Sequence, residues 1–397
     1  MRSGALRMRI TCWLAAILLF TPILSAYAAS AGWSLEETQN TPPARRSHAM
    51  AYDPDNKVII VFGGYGNGSH LGDTWTLDLK NKAWTSMQPE NSPSARAATT
   101  MVHDPVGKRM FLFGGFAQGH SIVSNDTWIY SYATNAWTEL RPRDAPSERA
   151  SYGMAYDSKR HEIALFGGFT ERGYFDDMWI YDIQENSWRE LSSAGDIPSP
   201  RGAMGFVYDI RNDVYVMFGG FSDRGFFSDT WIFDPKTGIW ERKEPSDSPP
   251  PIRTRMVYDS STGRAIFFGG DTISLESEEG APEPYSGVWA YDLATDQWIK
   301  IETSNAPPAM ALNGIVYEPE DRALVIFGGT DTLIDEVNFV GHEFRDTWIL
   351  PLSDSAANES QGMLIAVPVG IGAAIAVAIA AGVALWKKKN SGKESAR

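Results

Sequence analysis

The segment Val58-Ile59-Ile60-Val61-Phe62-Gly63-Gly64, followed by Asp73-Thr74-Trp75 and a second tryptophan at Trp84, decides the fold of this chain. Its apolar run is rich in β-branched and aromatic residues and ends in two glycines, which indicates a buried strand that stops at a tight turn. The signature recurs at steps of 50 to 59 residues, with Phe-Gly-Gly beginning at Phe62, Phe113, Phe166, Phe218, Phe268 and Phe327. Self-similarity at such a period is typical of a repeat architecture.

Each repeat carries further marks after the glycine pair. An Asp-Thr-Trp motif or a variant of it comes first, and in five repeats another tryptophan stands nine residues later, at Trp84, Trp137, Trp188, Trp240 and Trp298. Turn residues such as Asp53-Pro54-Asp55-Asn56 separate the apolar runs. Each repeat is therefore predicted to form four short strands, and no helical period appears between the two ends of the chain.

The sixth repeat lacks its second tryptophan, because the residue nine positions after Trp348 is Ala357. An unmatched Trp33 stands instead near the N-terminus, 12 residues before Arg45, and Trp84 keeps the same spacing to Arg96. We therefore expect an N-terminal strand to complete the last sheet, which closes a ring and removes open sheet edges.

On these residues, from about Trp33 to Leu352, the chain resembles Kelch-repeat β-propellers. The resemblance implies an all-β fold, a six-bladed Kelch-type β-propeller closed by the N-terminal strand, to which the sequence adds one C-terminal transmembrane helix. The tryptophan and tyrosine side chains are expected to pack between neighbouring blades.

Composition sets the two ends apart. A basic start, a short apolar core and Ala26-Tyr27-Ala28 are typical of a secretory signal peptide, with an uncleaved signal anchor as the alternative. Near the C-terminus, 24 uncharged and mainly apolar residues precede three lysines, which predicts a single span with the C-terminus in the cytoplasm and the propeller outside, at the cell membrane. The predicted organisation is a signal peptide over 1–28, the propeller over 29–352, a polar linker over 353–362, the transmembrane helix over 363–386 and a basic tail over 387–397.

Charge and cysteine content exclude several classes of function. The formal net charge is −14, and both ends are basic, so the predicted exported part is more acidic still and is not expected to bind nucleic acid. The one cysteine, Cys12, lies in the predicted signal peptide, so thiolate sites are excluded from the mature chain. No calcium-loop spacing is present. We predict no cofactor and no metal.

The loops differ in how much their lengths vary. From the residue that ends strand one to the phenylalanine of Phe-Gly-Gly there are nine residues in every repeat, whereas the connection from strand two to strand three varies. We call the face that carries the 2–3 and 4–1 loops the variable face and the opposite one the constant face. Because scaffolds place function on loops that differ, the variable face is the predicted working face. The resemblance implies the same, since Kelch propellers commonly hold peptides there.

Arginines precede the first strand of five repeats, at Arg45, Arg96, Arg149, Arg201 and Arg253. They are expected near the central channel on the variable face, where guanidinium groups could bind carboxylates or phosphates bidentately; the resemblance implies acidic peptides. In the alternative, each arginine pairs with an aspartate of the Asp73 type on a neighbouring blade and only ties blades together. Repeat five shifts its arginine by two positions, and repeat six has Met310 instead.

Paired aromatic residues in the 2–3 loops of repeats three and four are further candidates, at Tyr174, Phe175, Phe226 and Phe227. They suit sugar stacking or a protein hot spot, or they pack between blades. We hypothesise that the propeller is a membrane-anchored, extracytoplasmic module that binds a protein or glycan through the variable face. The alternative is a carbohydrate-active enzyme of the sialic-acid mutarotase type, for which the sequence shows no nucleophile–base arrangement.

Overall fold

The computed structural model describes residues 32–117, 122–193, 195–273, 282–331 and 342–352, and these residues form strands, turns and loops. Six antiparallel sheets follow one another along the chain. The first strands of successive sheets contact each other in a closed ring, with the first strand of sheet six against that of sheet one. The predicted six-bladed all-β propeller is thereby confirmed.

The strands of each blade run from the channel outwards in chain order. Blade one consists of Ala49–Asp53, Val58–Gly66, Ser69–Asp78 and Ala83–Met87, and blade two of Thr100–Asp104, Arg109–Ala117, Ile122–Ser131 and Ala136–Leu140. Blade three consists of Gly153–Asp157, Glu162–Phe166, Met178–Asp182 and Ser187–Leu191, and blade four of Gly205–Asp209, Val214–Phe218, Thr230–Asp234 and Ile239–Lys243. Blade five consists of Met256–Asp259, Arg264–Ile273, Pro282–Asp292 and Gln297–Ile301, and blade six of Gly314–Glu318, Ala323–Phe327, Thr347–Pro351 and Ser34–Glu36.

Short strands add to four of the blades. Arg96–Ala97 and Ile252–Arg253 precede the first strands of blades two and five. In blades three and four, two small ribbons extend the 2–3 connection on the variable face: Phe169–Thr170 pairs with Gly173–Tyr174, and Phe221–Ser222 pairs with Gly225–Phe226.

The N-terminal strand closes the ring as the tryptophan spacing predicted. Ser34–Glu36 pairs antiparallel with Thr347–Pro351, so it is the outermost strand of blade six. Trp33, directly before it, is 3 % exposed and packs against Phe268 of blade five. The ring contact joins Trp33 to a residue 235 positions away in blade five, and the strand pairing completes blade six.

The outer-strand tryptophans pack between blades, as predicted. Each one contacts the phenylalanine of the Phe-Gly-Gly motif in the preceding blade, with ring centroids 4.4–5.3 Å apart. The six pairs are Trp84–Phe327, Trp137–Phe62, Trp188–Phe113, Trp240–Phe166, Trp298–Phe218 and Trp33–Phe268. Aromatic pairs in this tilted geometry contribute beyond their buried area, and here they join every blade to its neighbour.

The constant loops owe their uniform length to a side-chain cap. In blade one, Asp53 Oδ1 accepts hydrogen bonds from the backbone N–H groups of Asp55 and Asn56, at 3.0 and 3.1 Å. Asp104, Asp157, Asp209 and Asp259 cap their own turns in the same way, and Glu318 does so in blade six. This is an Asx-type turn, which an aspartate favours because its short side chain reaches the backbone two residues on.

Within the described ranges, no helix is long and apolar enough to span a membrane. The predicted signal peptide over 1–28, linker over 353–362, transmembrane helix over 363–386 and tail over 387–397 lie outside the described residues, so they stay predictions.

Candidate functional site

The four arginines at Arg45, Arg96, Arg149 and Arg201 share one geometry. In blade one, Arg45 Nη1 and Nη2 donate to the two carboxylate oxygens of Asp73, at 2.7 and 2.8 Å, and Nη1 also donates to the carbonyl of Gly63. The other three pairs repeat this, as Arg96–Asp126, Arg149–Asp177 and Arg201–Asp229. All four arginines are at most 1 % exposed. Each bidentate pair connects the chain entering strand one to an aspartate that lies within strand three or directly before it.

This arrangement decides part of the question that the sequence left open. The aspartate belongs to the same blade as the arginine, so the pair clamps one blade rather than tying two blades together. The four side chains are also absent from the described residues that line the channel cavity, where we had expected them. Their guanidinium groups are already committed to a carboxylate and to backbone carbonyls, and a ligand-binding role for them stays a prediction.

We call these four Arg–Asp pairs the clamps, and they change the pKa values of three of their aspartates. Burial acts to raise the pKa of Asp73, Asp126 and Asp229, but hydrogen bonds from the arginines and their charge outweigh it, so each pKa lies below its usual value. The indole N–H groups of Trp75, Trp128 and Trp231 donate to the same carboxylates. The tryptophan of the Asp-Thr-Trp motif therefore holds the aspartate, while the later tryptophan packs between blades.

Blade five departs from this pattern. Gly287 stands where the aspartate would be, and the hydroxyl of Tyr285 fills that place and accepts the indole N–H of Trp289 at 2.9 Å. The backbone counterpart of the four arginines is Ile252, whose carbonyl accepts the N–H of Gly220 as that of Arg201 accepts the N–H of Gly168. From Ile252 to Asp259 the chain advances seven positions, whereas from Arg201 to Asp209 it advances eight, so blade five is one residue shorter in this segment. Arg253 therefore stands one position after the equivalent of the four arginines, whereas its spacing to Asp259 had indicated a shift of two positions.

Arg253 instead lies on the variable face and pairs with Asp271 through its Nε. Burial raises the pKa of Asp271 to about 6, although the charge and hydrogen bond of Arg253 act in the opposite direction. The guanidinium carbon of Arg253 lies 5.0 Å from the ring centroid of Phe221 and 5.9 Å from that of Phe226. It thereby contacts two of the rim aromatic residues described next.

A cluster of partly exposed aromatic side chains curves across blades two, three and four on the variable face. We call it the aromatic arc, and its members are Phe116, Phe169, Tyr174, Phe221 and Phe226. Neighbouring ring centroids in it lie 5.4–6.1 Å apart. Arg253 of blade five ends the arc on one side.

The predicted aromatic pairs divide between two environments. Tyr174 and Phe226 belong to the aromatic arc. Phe175 and Phe227 instead cover the inner arginines, with the guanidinium carbons of Arg149 and Arg201 at 4.1 and 3.9 Å from their ring centroids. Sequence reasoning missed Phe116, Phe169 and Phe221. A signal for them exists, because the residue directly after Gly-Gly is aromatic in the first four repeats, at Tyr65, Phe116, Phe169 and Phe221.

The central channel encloses a cavity of about 460 Å³. Two rings of side chains line it, with one member from each first strand. The upper ring is apolar and consists of Met50, Met101, Met154, Phe206, Met256 and Ile315; the ring nearer the constant face consists of Tyr52, His103, Tyr156, Tyr208, Tyr258 and Tyr317. Pro54, Ser260 and Pro319 line the cavity at its constant-face end.

At the variable-face end, Arg255 crosses the channel. From blade five it donates to the carbonyl of His48 in blade one at 2.8 Å and to that of Thr99 in blade two at 3.4 Å. Among the described residues no carboxylate pairs with it. Burial lowers the pKa of Arg255 to about 10, which still leaves it charged at neutral pH. In the other five blades the corresponding residue of strand one is small: Ala49, Thr100, Gly153, Gly205 and Gly314.

A ring of backbone hydrogen bonds frames this end of the channel. The N–H groups of Ser47, Ala98, Ser151, Ala203 and Thr254 each donate to a carbonyl of the preceding blade, at 2.6–3.1 Å. Below it, His48 is fully buried, and burial, followed by the charges of Arg45 and Arg255, lowers its pKa well below the usual value. With His48 neutral, the arginines that line this end of the cavity are Arg253, which is paired with Asp271, and Arg255, which has no carboxylate partner among the described residues.

One group within the described residues has the composition of a metal site: Asp53, Asp55 and His103, at the constant-face end. His103 Nε2 lies 3.8 Å from Asp53 Oδ1, but that carboxylate already caps its turn, and Lys108 Nζ lies 3.5 Å from Asp55. Both carboxylates therefore have partners within the protein, without a metal ion.

Comparison with known proteins agrees with the fold. The model of the KLHDC2/KLHL20/DRC7 Kelch-repeats domain matches residues 27–208 and 160–361. Acyl-CoA-binding domain-containing protein 5 of Arabidopsis thaliana is 25 % identical over 310 residues, which cover 75 % of this chain and 46 % of that protein. An F-box/kelch-repeat protein of Arabidopsis thaliana is 26 % identical over 367 residues, covering 80 % of this chain and 74 % of that protein. The chain spans about half the length of the first of these relatives.

Proposed function

Because this chain belongs to the Kelch-repeat propeller family, we propose that it is a protein-binding module whose contact surface is the aromatic arc on the variable face. The observation that carries the proposal is the partly exposed cluster from Phe116 to Phe226, with Arg253 at its end. Aromatic residues and arginine are the side chains that dominate binding energy in protein interfaces.

The geometry of the arc favours a protein over a glycan. Sugar stacking needs an uncovered ring face, whereas the ring of Phe221 meets Phe169 and Tyr174 at interplanar angles of 77° and 82°. Arg253 covers a further side of it. Because the rings pack edge to face, they hold one another in place and present an apolar surface to the side chains of a protein partner. The alternative of a mutarotase-type enzyme stays a prediction from the sequence.

The chain provides a matched control for the arc. Val106 and Ile210 are 67 % and 40 % exposed in loops of the constant face. Protein partners are first captured with the wild-type chain and identified by mass spectrometry, and the purified partner is then titrated against variants. We expect the double variant Phe169→Ala/Phe221→Ala to weaken binding by at least about 30-fold, the loss expected if only one of the two is a hot-spot side chain, and Val106→Ala/Ile210→Ala to leave it unchanged.

Equal affinity of the folded arc variant and the wild type would remove the aromatic arc from the interface. Loss of affinity in the constant-face variant alone would move the interface to the opposite side of the propeller.

We further propose that the propeller is displayed outside the cell on a single C-terminal span. The support is the sequence: the signal-peptide pattern over 1–28 and the uncharged stretch over 363–386 with its following lysines. An epitope inserted at the exposed turn of Gly68 should be labelled on intact cells or spheroplasts, and one added after Arg397 only after permeabilisation. Labelling of neither before permeabilisation would contradict this location.

A further inference from the structure

The channel cavity and Arg255 take no part in the proposed binding of a protein at the variable face. We infer that the channel is a second binding site, for a small organic acid with an apolar body, which enters from the constant face and places its acid group against Arg255. The cavity, of about 460 Å³, is in the usual range for small-molecule sites.

The charge of Arg255 points to an anion. A buried or partly buried cation is normally paired, because removing it from water without a partner costs free energy. The four clamp arginines each have a carboxylate, and Arg253 has Asp271. Arg255 has two backbone carbonyls and, among the described residues, no carboxylate. A bound carboxylate would supply the missing partner in the bidentate geometry that guanidinium favours.

The walls point to an apolar body. Directly below Arg255 lies the apolar ring of four methionines with Phe206 and Ile315. The next ring is mainly tyrosine, and the hydroxyls of Tyr52, Tyr208 and Tyr258 are bonded to carboxylates of the constant-face loops. Their rings therefore extend the apolar wall. From Arg255 to Tyr258 the strand rises about 10 Å, which is enough for a ring or short chain carrying one acid group.

The direction of entry follows from the same contacts. At the variable face, Arg255 crosses from blade five to blades one and two, and the backbone ring frames that opening. The opposite end is lined by Pro54, Ser260 and Pro319 of the constant loops. A ligand that entered there would meet apolar walls first and the guanidinium last.

The test uses the full-length chain and two probes of the same body, 4-phenylbutyrate and the neutral 4-phenylbutan-1-ol, titrated by calorimetry. We expect the acid to bind at least tenfold more tightly than the alcohol. Arg255→Met should remove this preference and leave the alcohol's affinity unchanged, while Arg255→Lys should retain part of it. Because Arg255 has no carboxylate partner, Arg255→Met is expected to stay folded, which near-ultraviolet circular dichroism and the thermal midpoint check.

Two further variants test whether the ligand enters the channel from the constant face. Ser260→Trp, which narrows the constant-face end, should weaken binding of the acid, and Phe169→Ala/Phe221→Ala should not affect it. Equal binding of acid and alcohol, an unchanged affinity in Arg255→Met, or no binding of the acid by the wild type at 5 mM would each overturn the site. Loss in the arc variant with no loss in Ser260→Trp would overturn the entry from the constant face. Each result is independent of whether a protein binds the aromatic arc.

Discussion

Replacing Arg149 with methionine is expected to lower the free energy of unfolding by about 3–5 kcal/mol, the loss usual when one partner of a buried ion pair is removed. Arg149 is 1 % exposed and donates to both carboxylate oxygens of Asp177, at 2.5 and 2.9 Å. It also donates to the carbonyls of Gly167 and Ser147. Methionine fills part of the space but leaves Asp177 charged without its cation, and leaves two carbonyls without a donor. Urea denaturation followed by tryptophan fluorescence measures the change.

Arg189→Met is the matched control. Arg189 lies on the outer strand of blade three and pairs with Glu162 on strand two. The side chain of Arg189 is 50 % exposed, so removing this ion pair should lower the free energy of unfolding by no more than about 1 kcal/mol. Adding Asp177→Asn to Arg149→Met should recover part of the stability, because the uncompensated charge is removed. A loss below about 1 kcal/mol in Arg149→Met would mean that the Arg–Asp pair is not structural, and would favour the predicted ligand-binding role of these arginines.

The second large effect is expected at the glycine pair. Gly167→Ala should lower the free energy of unfolding by roughly 2–5 kcal/mol, in two parts. Its φ of +64° costs a side chain about 1–2 kcal/mol. A Cβ would also lie 2.7 Å from the carbonyl oxygen of Arg201 in the next blade, and overpacking of this kind costs about 1–3 kcal/mol.

Gly68→Ala separates the two parts. Gly68 has a similar φ of +74°, but a Cβ there meets nothing within 4 Å. It should therefore show the conformational cost alone, and the difference between the two denaturation midpoints measures the contact between blades. Equal losses at the two positions would show that the glycine pair serves only the turn and not the close approach of neighbouring blades.

Many residues of the candidate site could be identified from the sequence, but their contacts with one another could not. The arginine period and the aspartate period could each be counted, and bidentate pairing was considered for both a ligand and a neighbouring blade. The observed partner in the same blade was missed, because it depends on how the 2–3 connection folds back past the chain entering strand one. The spacing of Arg253 to Asp259 indicated a shift of two positions, and one of the two is a one-residue deletion in blade five that lies between these residues. Tyr174 and Phe226 were found, whereas their neighbours in the aromatic arc were not.

The sequence by itself determined the number of blades, their four strands and the closure of the ring by Trp33, because these follow from periodic patterns that each repeat carries locally. The tertiary structure alone decided which residues of different repeats meet. Phe116, Phe169 and Phe221 form one surface only because their blades are adjacent. Arg255 reaches carbonyls 207 and 156 positions away along the chain because the ring brings blade five opposite blades one and two. No local pattern encodes such a contact, since it depends on how far and at what angle the closed ring places one blade from another.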